Sequence, residues 1–338
     1  MAEPACDNFD DQSSNVSIQQ LSGMHREILT QAVVNVLSTP IAEVTFGQII
    51  DGLPISDVAV DIHLGTLCDG HPLLDERYEL SSEVISKAQE LCSTVDATKI
   101  RMNPKLLQDY QVAAPGSRAF QMRLIELVAI ATHQVGVLLY KQTPILDDSN
   151  HLVSWRPEGE DLDFYPDGWP ATFFRHSWYH DFDQYPHGVA DMVGYWAESR
   201  IFGGVVLFDR RQQDFCTEAD PDAIYFHADR REVTYRVFKL LDDQKQKLLQ
   251  FLLSPVTPPP SCPLPILGDK NNRTRVDPEE PIQSTGIYRN LWERKPLGEG
   301  DYDDRLRDVV DTFNYLSQDD WAAAKRRALL KYDNHYSK

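Results

Sequence analysis

The stretch from Arg175 to Gly188, RHSWYHDFDQYPHG, contains three of the ten histidines of the chain. Imidazole groups beside carboxylates are typical of proton-transfer sites and of sites for zinc or non-haem iron. His176 and His180 are four residues apart, which would place both rings on one face of a helix. Pro186 and the neighbouring aromatic residues disfavour a regular helix, so we predict no metal site here. A polar loop with a purely structural role is the competing interpretation.

If the protein is an enzyme, we expect its acid/base groups in this stretch. The candidate imidazoles are those of His176, His180 and His187, and the carboxylate of Asp181 or Asp183 would orient the imidazole. The sequence lacks the GxGxxG, GxxxxGK[ST], HExxH and GxSxG motifs. We therefore predict no cofactor, and isomerisation, cyclisation or dehydration fits better than redox chemistry.

Aromatic residues are concentrated around this stretch, with thirteen between Phe164 and Phe208, whereas the whole chain has 10%. Such rings beside polar side chains are typical of a pocket for a large flat ligand, although loops also need rings to attach them to a core. The residues that we expect to line such a pocket are Trp169, Phe173, Trp178, Tyr195, Trp196, Glu198 and Arg200. The predicted ligand is a hydrophobic small molecule.

The motif His227-Ala228-Asp229 is the other candidate, because it resembles half of an iron facial triad. On a strand, its imidazole and carboxylate would lie on the same face. The only later histidine is His335, which is far away in sequence. We therefore interpret the motif as the solvent-facing side of a hairpin, and a non-haem metal oxygenase is kept as an alternative function.

The charge of the chain disfavours several classes of partner. It carries 33 Lys and Arg residues against 52 Asp and Glu residues, a formal net charge of -19. This charge repels phosphate groups and anionic lipid, so we predict no nucleic-acid and no membrane partner. The five cysteines are scattered and form no CxxC pair, which disfavours a disulfide framework. The acidic N-terminal residues show no secretory-signal pattern, so we expect a cytoplasmic protein.

Composition divides the chain into four predicted parts. Residues 1–20 are predicted to be a disordered acidic tail. Residues 21–254 form the predicted main domain. The segment 255–300 is rich in proline and is predicted to be a connector. Residues 301–338 are predicted to be helical.

Apolar periodicity predicts the helices of the main domain. Helical spacing covers Ser22–Ser38, Ser81–Val95 and Ser117–Tyr140. In the longest of these, His133 lies beside the apolar stripe and is interpreted as a core or boundary residue. A further helix begins at Asp242 and ends before Pro255.

The second half of the main domain has the composition of strands. The β-branched and aromatic residues of Gly194–Arg210 predict two strands, or one strand with a bulge at Gly203-Gly204. Alternating residues in Ala223–Asp229 and Val233–Leu240 predict an antiparallel hairpin. The order of elements predicts an α+β fold, in which an antiparallel β-sheet packs with N-terminal and C-terminal helices.

Two runs carry a resemblance, namely HGVADMVGYWAESRIFGGVVLFDR and CPLPILGDKNNRTRVDPEEPIQSTGIYRNLWERK. They are similar to a group of uncharacterised proteins of filamentous fungi. Members of that group resemble proteins encoded within or near secondary-metabolite gene clusters, including prenylated indole alkaloid clusters of the notoamide type. The resemblance covers about residues 150–300 and supplies no catalytic residues.

The resemblance implies an accessory protein of fungal secondary-metabolite biosynthesis. Such a protein is a cofactor-independent tailoring enzyme or a binder of a hydrophobic intermediate. A non-catalytic protein-interaction or scaffold protein is the alternative. The first hypothesis expects His176, His180 and His187 to converge on a concave cavity, whereas the second expects them on a convex surface.

Overall fold

The computed structural model describes residues 15–62, 67–68, 70–94, 100–143, 150–157, 169–211, 219–278, 280–295, 317–323 and 326. The helices are α1 (Gly23–Leu37), α2 (Pro40–Asp51), α3 (Ser56–Val60), α4 (Leu73–Glu76), α5 (Ser82–Thr94), α6 (Pro104–Val112), α7 (Arg118–Gln142), α8 (His151–Ser154), α9 (Val189–Phe202), α10 (Asp242–Leu252) and α11 (Ile282–Thr285). The strands are β1 (Val16–Ser17), β2 (Arg101–Met102), β3 (Val205–Asp209), β4 (Ile224–His227), β5 (Val237–Lys239), β6 (Arg275–Val276) and β7 (Ile287–Tyr288).

Five of these strands form one antiparallel sheet in the order β6-β5-β4-β3-β7. The predicted hairpin is confirmed, since Phe226 of β4 pairs with Phe238 of β5. The sheet shares one apolar core with the helices that precede it in sequence. Helix α10, which follows β5 in sequence, contributes to the same core. The predicted α+β fold is therefore confirmed.

The two faces of the sheet contact different apolar clusters. Val206 and Phe208 of β3 face the main core that the helices fill. Val205 and Leu207 face a second cluster, which includes Tyr179 from the histidine-rich stretch. This alternation follows from the two-residue period of a strand. The histidine-rich stretch thus covers the face of the sheet that the helical core leaves open.

The strands predicted over residues 194–210 are only partly present. The first part of this prediction is wrong, because residues up to Phe202 belong to α9 and only Val205–Asp209 forms a strand. Helix α9 is buried at every position from Ala190 to Phe202. A helix surrounded by protein has no solvent-exposed polar face, so its composition resembles that of a buried strand. Gly203 ends the helix with a φ of 103°.

Helices α7 and α9 pack closely along their middle. Helix α7 begins where the sequence predicts it, because the hydroxyl oxygen of Ser117 accepts a hydrogen bond from the backbone N–H of Phe120 at 3.2 Å. A Cβ atom on Gly136 would lie 3.2 Å from Cβ of Ala197 and 3.3 Å from Cα of Gly194. The two glycines therefore set how near the helix axes lie to each other.

Helix α7 is long and apolar enough to cross a membrane. However, 78% of its most apolar window is buried inside the protein. Among the described residues, α1 and α2 meet the same criterion only as a pair bent by 73°. Burial of this kind is consistent with the core helix of a soluble protein.

The proline-rich segment 255–300 contributes both edge strands of the sheet, β6 and β7, which a connector would not do. Its beginning is attached to α1, where the hydroxyl of Thr257 donates to Oδ1 of Asn35 at 2.9 Å. The backbone N–H of Ile266 donates to the carbonyl oxygen of Phe202 at 2.7 Å. The segment therefore completes the fold after α10.

The two predicted terminal parts lie mainly outside the described residues. Residues 15–20 of the predicted tail form β1 and a 3-10 turn, and Val16 pairs with Met102 of β2. Residues 1–14 and most of the predicted helical segment 301–338 are not among the described residues.

Candidate active site

The three histidines of the stretch 175–188 lie in different surroundings. The stretch forms turns and one 3-10 turn rather than a regular helix. His176 is buried, its Nε2 donates to the carbonyl oxygen of His227 at 3.0 Å, and its Nδ1 accepts the N–H of Trp178 at 3.2 Å. His180 is exposed, whereas His187 lines a pocket. The three imidazoles therefore do not converge on one cavity.

Asp181 and Asp183 attach this stretch to a later loop. Oδ2 of Asp181 accepts the backbone N–H of Lys295 at 3.0 Å, and Oδ1 of Asp183 lies 2.8 Å from Nζ of Lys295. The hydrogen bond from Lys295 lowers the pKa of Asp183. These contacts go to a lysine and not to an imidazole, so they do not orient a histidine.

The residues predicted to line a ligand pocket are distributed over several parts of the fold. Trp169 and Phe173 pack around the buried His71, with ring centroids 6.1 and 5.3 Å from its ring. Trp178 stacks on Tyr235 at 6.4 Å. These three rings therefore fill two separate aromatic clusters.

The other four predicted ligand residues lie on α9. Trp196 belongs to the main apolar core. Arg200 binds Asp61, with Nη1 2.9 Å from Oδ2. Glu198 is fully buried. Tyr195 is the one of the seven that lines the same pocket as His187.

His227 and Asp229 are buried, so their interpretation as the solvent-facing side of a hairpin is wrong. The reason is that the histidine-rich stretch covers this face of the sheet. Nε2 of His227 donates to the carbonyl oxygen of Tyr235 at 3.1 Å, and Nδ1 accepts the hydroxyl of Tyr179 at 3.2 Å. Oδ2 of Asp229 accepts the N–H of Ser177 at 2.7 Å. Both side chains therefore hold loops in place.

The part of the chain that the structure describes contains no group of three or more His, Cys, Asp or Glu side chains placed to hold a metal ion. His227 uses both ring nitrogens in the hydrogen bonds given above. The facial-triad arrangement needs an imidazole with a nitrogen directed at the metal. The described residues therefore do not build that arrangement at His227.

A pocket of about 90 Å³ opens between α7, α9 and the segment 289–292. Its polar lining includes His133, His187, Asp191, Tyr195 and Arg289, its amide groups come from Asn15, Asn103, Gln134 and Asn290, and its apolar lining is Met102, Ile130 and Trp292. An apolar cavity of roughly 150 Å³ holds a benzene molecule. The pocket therefore admits a small group and not a whole polycyclic ligand.

Helix α9 directs three polar side chains to one side. Asp191, Tyr195 and Glu198 are spaced at i, i+4 and i+7, which places them on one face of a helix. His133 of α7 lies opposite them. A Cβ atom on Gly194 would lie 2.7 Å from the ring of His133, so the imidazole reaches this face only because residue 194 is a glycine.

Four charged side chains form a buried series beside the pocket. Nε2 of His133 lies 3.0 Å from Oδ1 of Asp191, and its Nδ1 lies 3.7 Å from Oε2 of Glu198. Oε1 of Glu198 accepts a hydrogen bond from Nη1 of Arg289 at 2.6 Å. None of these side chains is more than 9% exposed. Each charge therefore has an opposite charge next to it.

The partners of these four groups keep them charged. Burial lowers the pKa of His133, but the hydrogen bond to Asp191 and the nearby carboxylate of Glu198 raise it above its usual value. Burial raises the pKa of both carboxyls, but His133 lowers that of Asp191 and Arg289 lowers that of Glu198. Burial lowers the pKa of Arg289, and Glu198 raises it above its usual value. The series thus consists of two ion pairs.

His187 differs from His133 in the direction of its pKa shift. Partial burial, together with Lys141 and His133, lowers the pKa of His187 and outweighs the opposite effect of Asp191. Oδ2 of Asp191 accepts the backbone N–H of His187 at 2.6 Å, which fixes this residue at the pocket. At neutral pH His187 is therefore an uncharged imidazole and a base.

Three buried donors on pocket-lining residues have no hydrogen-bond partner among the described residues, namely Nδ1 of His133, the hydroxyl of Tyr195 and Nε of Arg289. Burial raises the pKa of Tyr195, so its hydroxyl stays protonated. The centroid of the Tyr195 ring lies 4.5 Å from that of His133 and 5.6 Å from the guanidinium carbon of Arg289. Because buried polar groups are nearly always hydrogen-bonded, these donors require an acceptor from water or a ligand.

No protein-family model, curated protein or solved structure matches this chain. The fold and the pocket define an α+β protein with two buried ion pairs beside a small polar pocket. The chemistry of the pocket is therefore inferred from the residues that line it.

The sequence prediction misses several of the residues that build the pocket. His133 is interpreted there as a core or boundary residue, and Arg289 is not singled out. The signal for Asp191, Tyr195 and Glu198 is their i, i+4, i+7 spacing, which has meaning only on a helix. This spacing is hidden because the residues from Gly194 onward are predicted to form strands, although Tyr195 and Glu198 are among the predicted lining residues.

Proposed function

We propose that this chain is a cofactor-independent tailoring enzyme of fungal secondary metabolism, which transfers a proton on a hydrophobic intermediate. The observation that carries the proposal is that His187 and Tyr195 line one pocket, where the Tyr195 hydroxyl has no partner among the described residues. A base and a hydrogen-bond donor at one site are the two groups that proton abstraction beside a polar group needs. The fungal setting is supported by the resemblance of residues 187–210 and 262–295.

In the proposed reaction His187 is the base. Its uncharged imidazole takes a proton from a carbon atom of the substrate and returns it to a different carbon atom. The carbon–hydrogen bond breaks at one carbon and forms at another, while a double bond moves between them. Atoms and electrons balance without an oxidant or a reductant, which agrees with the predicted absence of a cofactor.

Tyr195 stabilises the negative charge that develops on the substrate. A protonated hydroxyl in a site that excludes water is a strong donor to a developing oxyanion. The ring of Tyr195 packs on Tyr179 and Tyr185, with centroid distances of 4.6 and 5.6 Å. These contacts fix the ring before the substrate binds, so little reorganisation is needed during the reaction.

The two ion pairs act as positioning groups. His133 holds the carboxylate of Asp191, and the other oxygen of Asp191 holds the backbone of His187. Arg289 holds Glu198 and lies over the ring of Tyr195. Both ring nitrogens of His133 face carboxylates, so this imidazole orients its neighbours and does not itself exchange a proton with the substrate.

The hydrophobic part of the substrate lies outside the pocket in this proposal. The pocket volume of about 90 Å³ holds only the reacting group. Leu291 is 52% exposed and directly precedes the lining residue Trp292, so apolar surface is available next to the opening. The proposal includes a cytoplasmic location, which the free cysteines Cys68, Cys92 and Cys262 support.

A non-catalytic interaction protein is the second candidate. It is supported by the proline-rich segment, in which Val256 is 59% exposed and Pro255, Pro258 and Pro260 are also exposed. Exposed proline-rich segments are common ligands of aromatic-lined grooves in other proteins. In this case His187 and Tyr195 would have no chemical role.

The experiment that tests the proposal replaces the gene in its producing host with the His187→Gln variant. We expect loss of one metabolite and accumulation of an isomer of the same mass, because proton transfer conserves mass. The matched control is His180→Gln, since His180 is exposed and does not line the pocket. An unchanged metabolite profile with His187→Gln, while gene deletion changes the profile, contradicts catalysis and favours the interaction protein.

A further inference from the structure

The charges around the pocket are balanced before any ligand enters. His133 is paired with Asp191 at 3.0 Å, and Arg289 is paired with Glu198 at 2.6 Å. Glu293 lies next to this pair, because its Oε2 accepts the backbone N–H of Arg289 at 3.0 Å, and a carboxyl group brings no further positive charge to the site. His187 is uncharged at neutral pH because its pKa is lowered. Both cations of the site are therefore already neutralised.

An anionic ligand does not fit this charge distribution. A carboxylate or phosphate in the pocket would lie beside Asp191, which lines it, and close to Glu198 behind it. Like charges at such short range repel strongly in a site with little water. The guanidinium of Arg289 is 2% exposed and cannot leave Glu198 without separating a buried ion pair.

Two of the unpartnered groups at the pocket are donors that an acceptor without charge would satisfy. The Tyr195 hydroxyl and Nε of Arg289 are both donors, and neither has a partner among the described residues. They belong to side chains that are in contact, with the guanidinium carbon 5.6 Å from the ring centroid. A carbonyl oxygen has two lone pairs and no hydrogen, so one such oxygen has the capacity to accept from two donors.

We infer that the ligand presents a neutral carbonyl group, such as a ketone, lactone or amide, to Tyr195 and Arg289. This inference rests on the proposed function and names its substrate class. It also defines the carbon that reacts, because His187 is then the base for a hydrogen next to that carbonyl. The neutral oxygen gains negative charge during the reaction, between two donors that are already in place.

Acetone and acetate test the inference, because they have the same number of heavy atoms and a similar shape but differ in charge. We would measure their binding, and that of inorganic phosphate, by saturation-transfer NMR on the full chain. We expect acetone to bind and acetate and phosphate not to bind. In Tyr195→Phe acetone binding is expected to weaken about tenfold, the effect of one lost hydrogen bond. The control is Tyr78→Phe, because Tyr78 is 61% exposed and lies outside the pocket.

Tighter binding of acetate or phosphate than of acetone overturns the inference, as does unchanged acetone binding in Tyr195→Phe. Transfer of deuterium from solvent to the methyl groups of bound acetone separates this inference from the proposed function. Acetone that binds through Tyr195 but is not deuterated supports the carbonyl site and contradicts the proton transfer.

Discussion

Nε2 of His133 lies 3.0 Å from Oδ1 of Asp191 and joins the two central helices, α7 and α9, by an ion pair in which neither side chain is more than 9% exposed. A buried charge without a partner is unstable, so each residue requires the other. The same carboxylate holds the backbone of His187 through its second oxygen. The packing of the helices and the geometry of the pocket are therefore linked by one side chain.

Replacement of Asp191 by Asn is expected to lower the free energy of unfolding by about 3 kcal/mol, the usual effect of removing one partner of a buried ion pair. Urea denaturation measures this change. Asp183→Asn is the matched control, because Asp183 also pairs with a cation but is 62% exposed. We expect a much smaller loss for the control, because solvent screens an exposed ion pair. Equal losses in the two variants would show that the buried ion pair contributes no more to stability than the exposed one.

The ion pair also predicts how stability depends on pH. The pKa of His133 is raised above its usual value of 6.5 in the folded protein. Its contribution is therefore complete below pH 6.5 and is lost as the pH rises through the raised pKa. The free energy of unfolding, measured at several pH values from 6.5 upward, is expected to fall more in the wild type than in His133→Gln. Parallel curves for the two proteins are incompatible with a charged His133.

The lowered pKa of His71 predicts that the protein loses stability at acidic pH. Burial, with a smaller effect of Arg156, lowers the pKa of His71 from 6.5 to about 4. Its uncharged form is favoured by folding, so stability is complete above pH 6.5 and decreases as the pH falls toward 4. For this shift the decrease is on the order of 3 kcal/mol. In His71→Phe we expect this part of the pH dependence to disappear. If the free energy of unfolding of the variant still falls by the same amount between pH 6.5 and 4, His71 is not the group responsible.

Gly194→Ala tests the contact between the helices. The added Cβ would lie 2.7 Å from the His133 ring, so the imidazole or α9 has to move. We expect a loss of about 1–3 kcal/mol, typical of overpacking, and a shift of the His133 ring signals in NMR spectra. A variant with wild-type stability and unchanged imidazole signals would contradict the close approach.

The sequence predicts the α+β class because periodicity is clear where an element has one polar face. Helix α7 is recognised for this reason, together with its N-cap at Ser117. The pair of β4 and β5 is recognised by its alternating side chains, although both faces of these strands are buried. Helix α9 is not recognised, because it is buried on all sides and has no solvent-exposed face. The decisive information for such a segment is its surroundings, which depend on the rest of the fold.

The same limitation explains why the sequence predicts only part of the candidate site. The sequence singles out the stretch that contributes His187 to the pocket, and it includes Tyr195 among its candidates. It does not show that His176 points into the protein or that His180 is exposed, because a loop without periodicity gives no orientation. The pairing of His133 with Asp191, and of Glu198 with Arg289, joins residues far apart in sequence. Such long-range pairs follow from tertiary packing alone.

The most direct test of the account is the pH dependence of deuterium transfer from solvent to acetone, catalysed by the full chain and followed by NMR. Because the pKa of His187 is lowered from 6.5, we predict that the rate stays constant from neutral pH to below 6.5 and then falls as the imidazole is protonated. His187→Gln is expected to reduce the rate by at least about 100-fold, the usual contribution of a general base. His180→Gln is expected to keep the wild-type rate. A rate in His187→Gln equal to that of the wild type, or no transfer that depends on the protein, would contradict the proposed proton transfer.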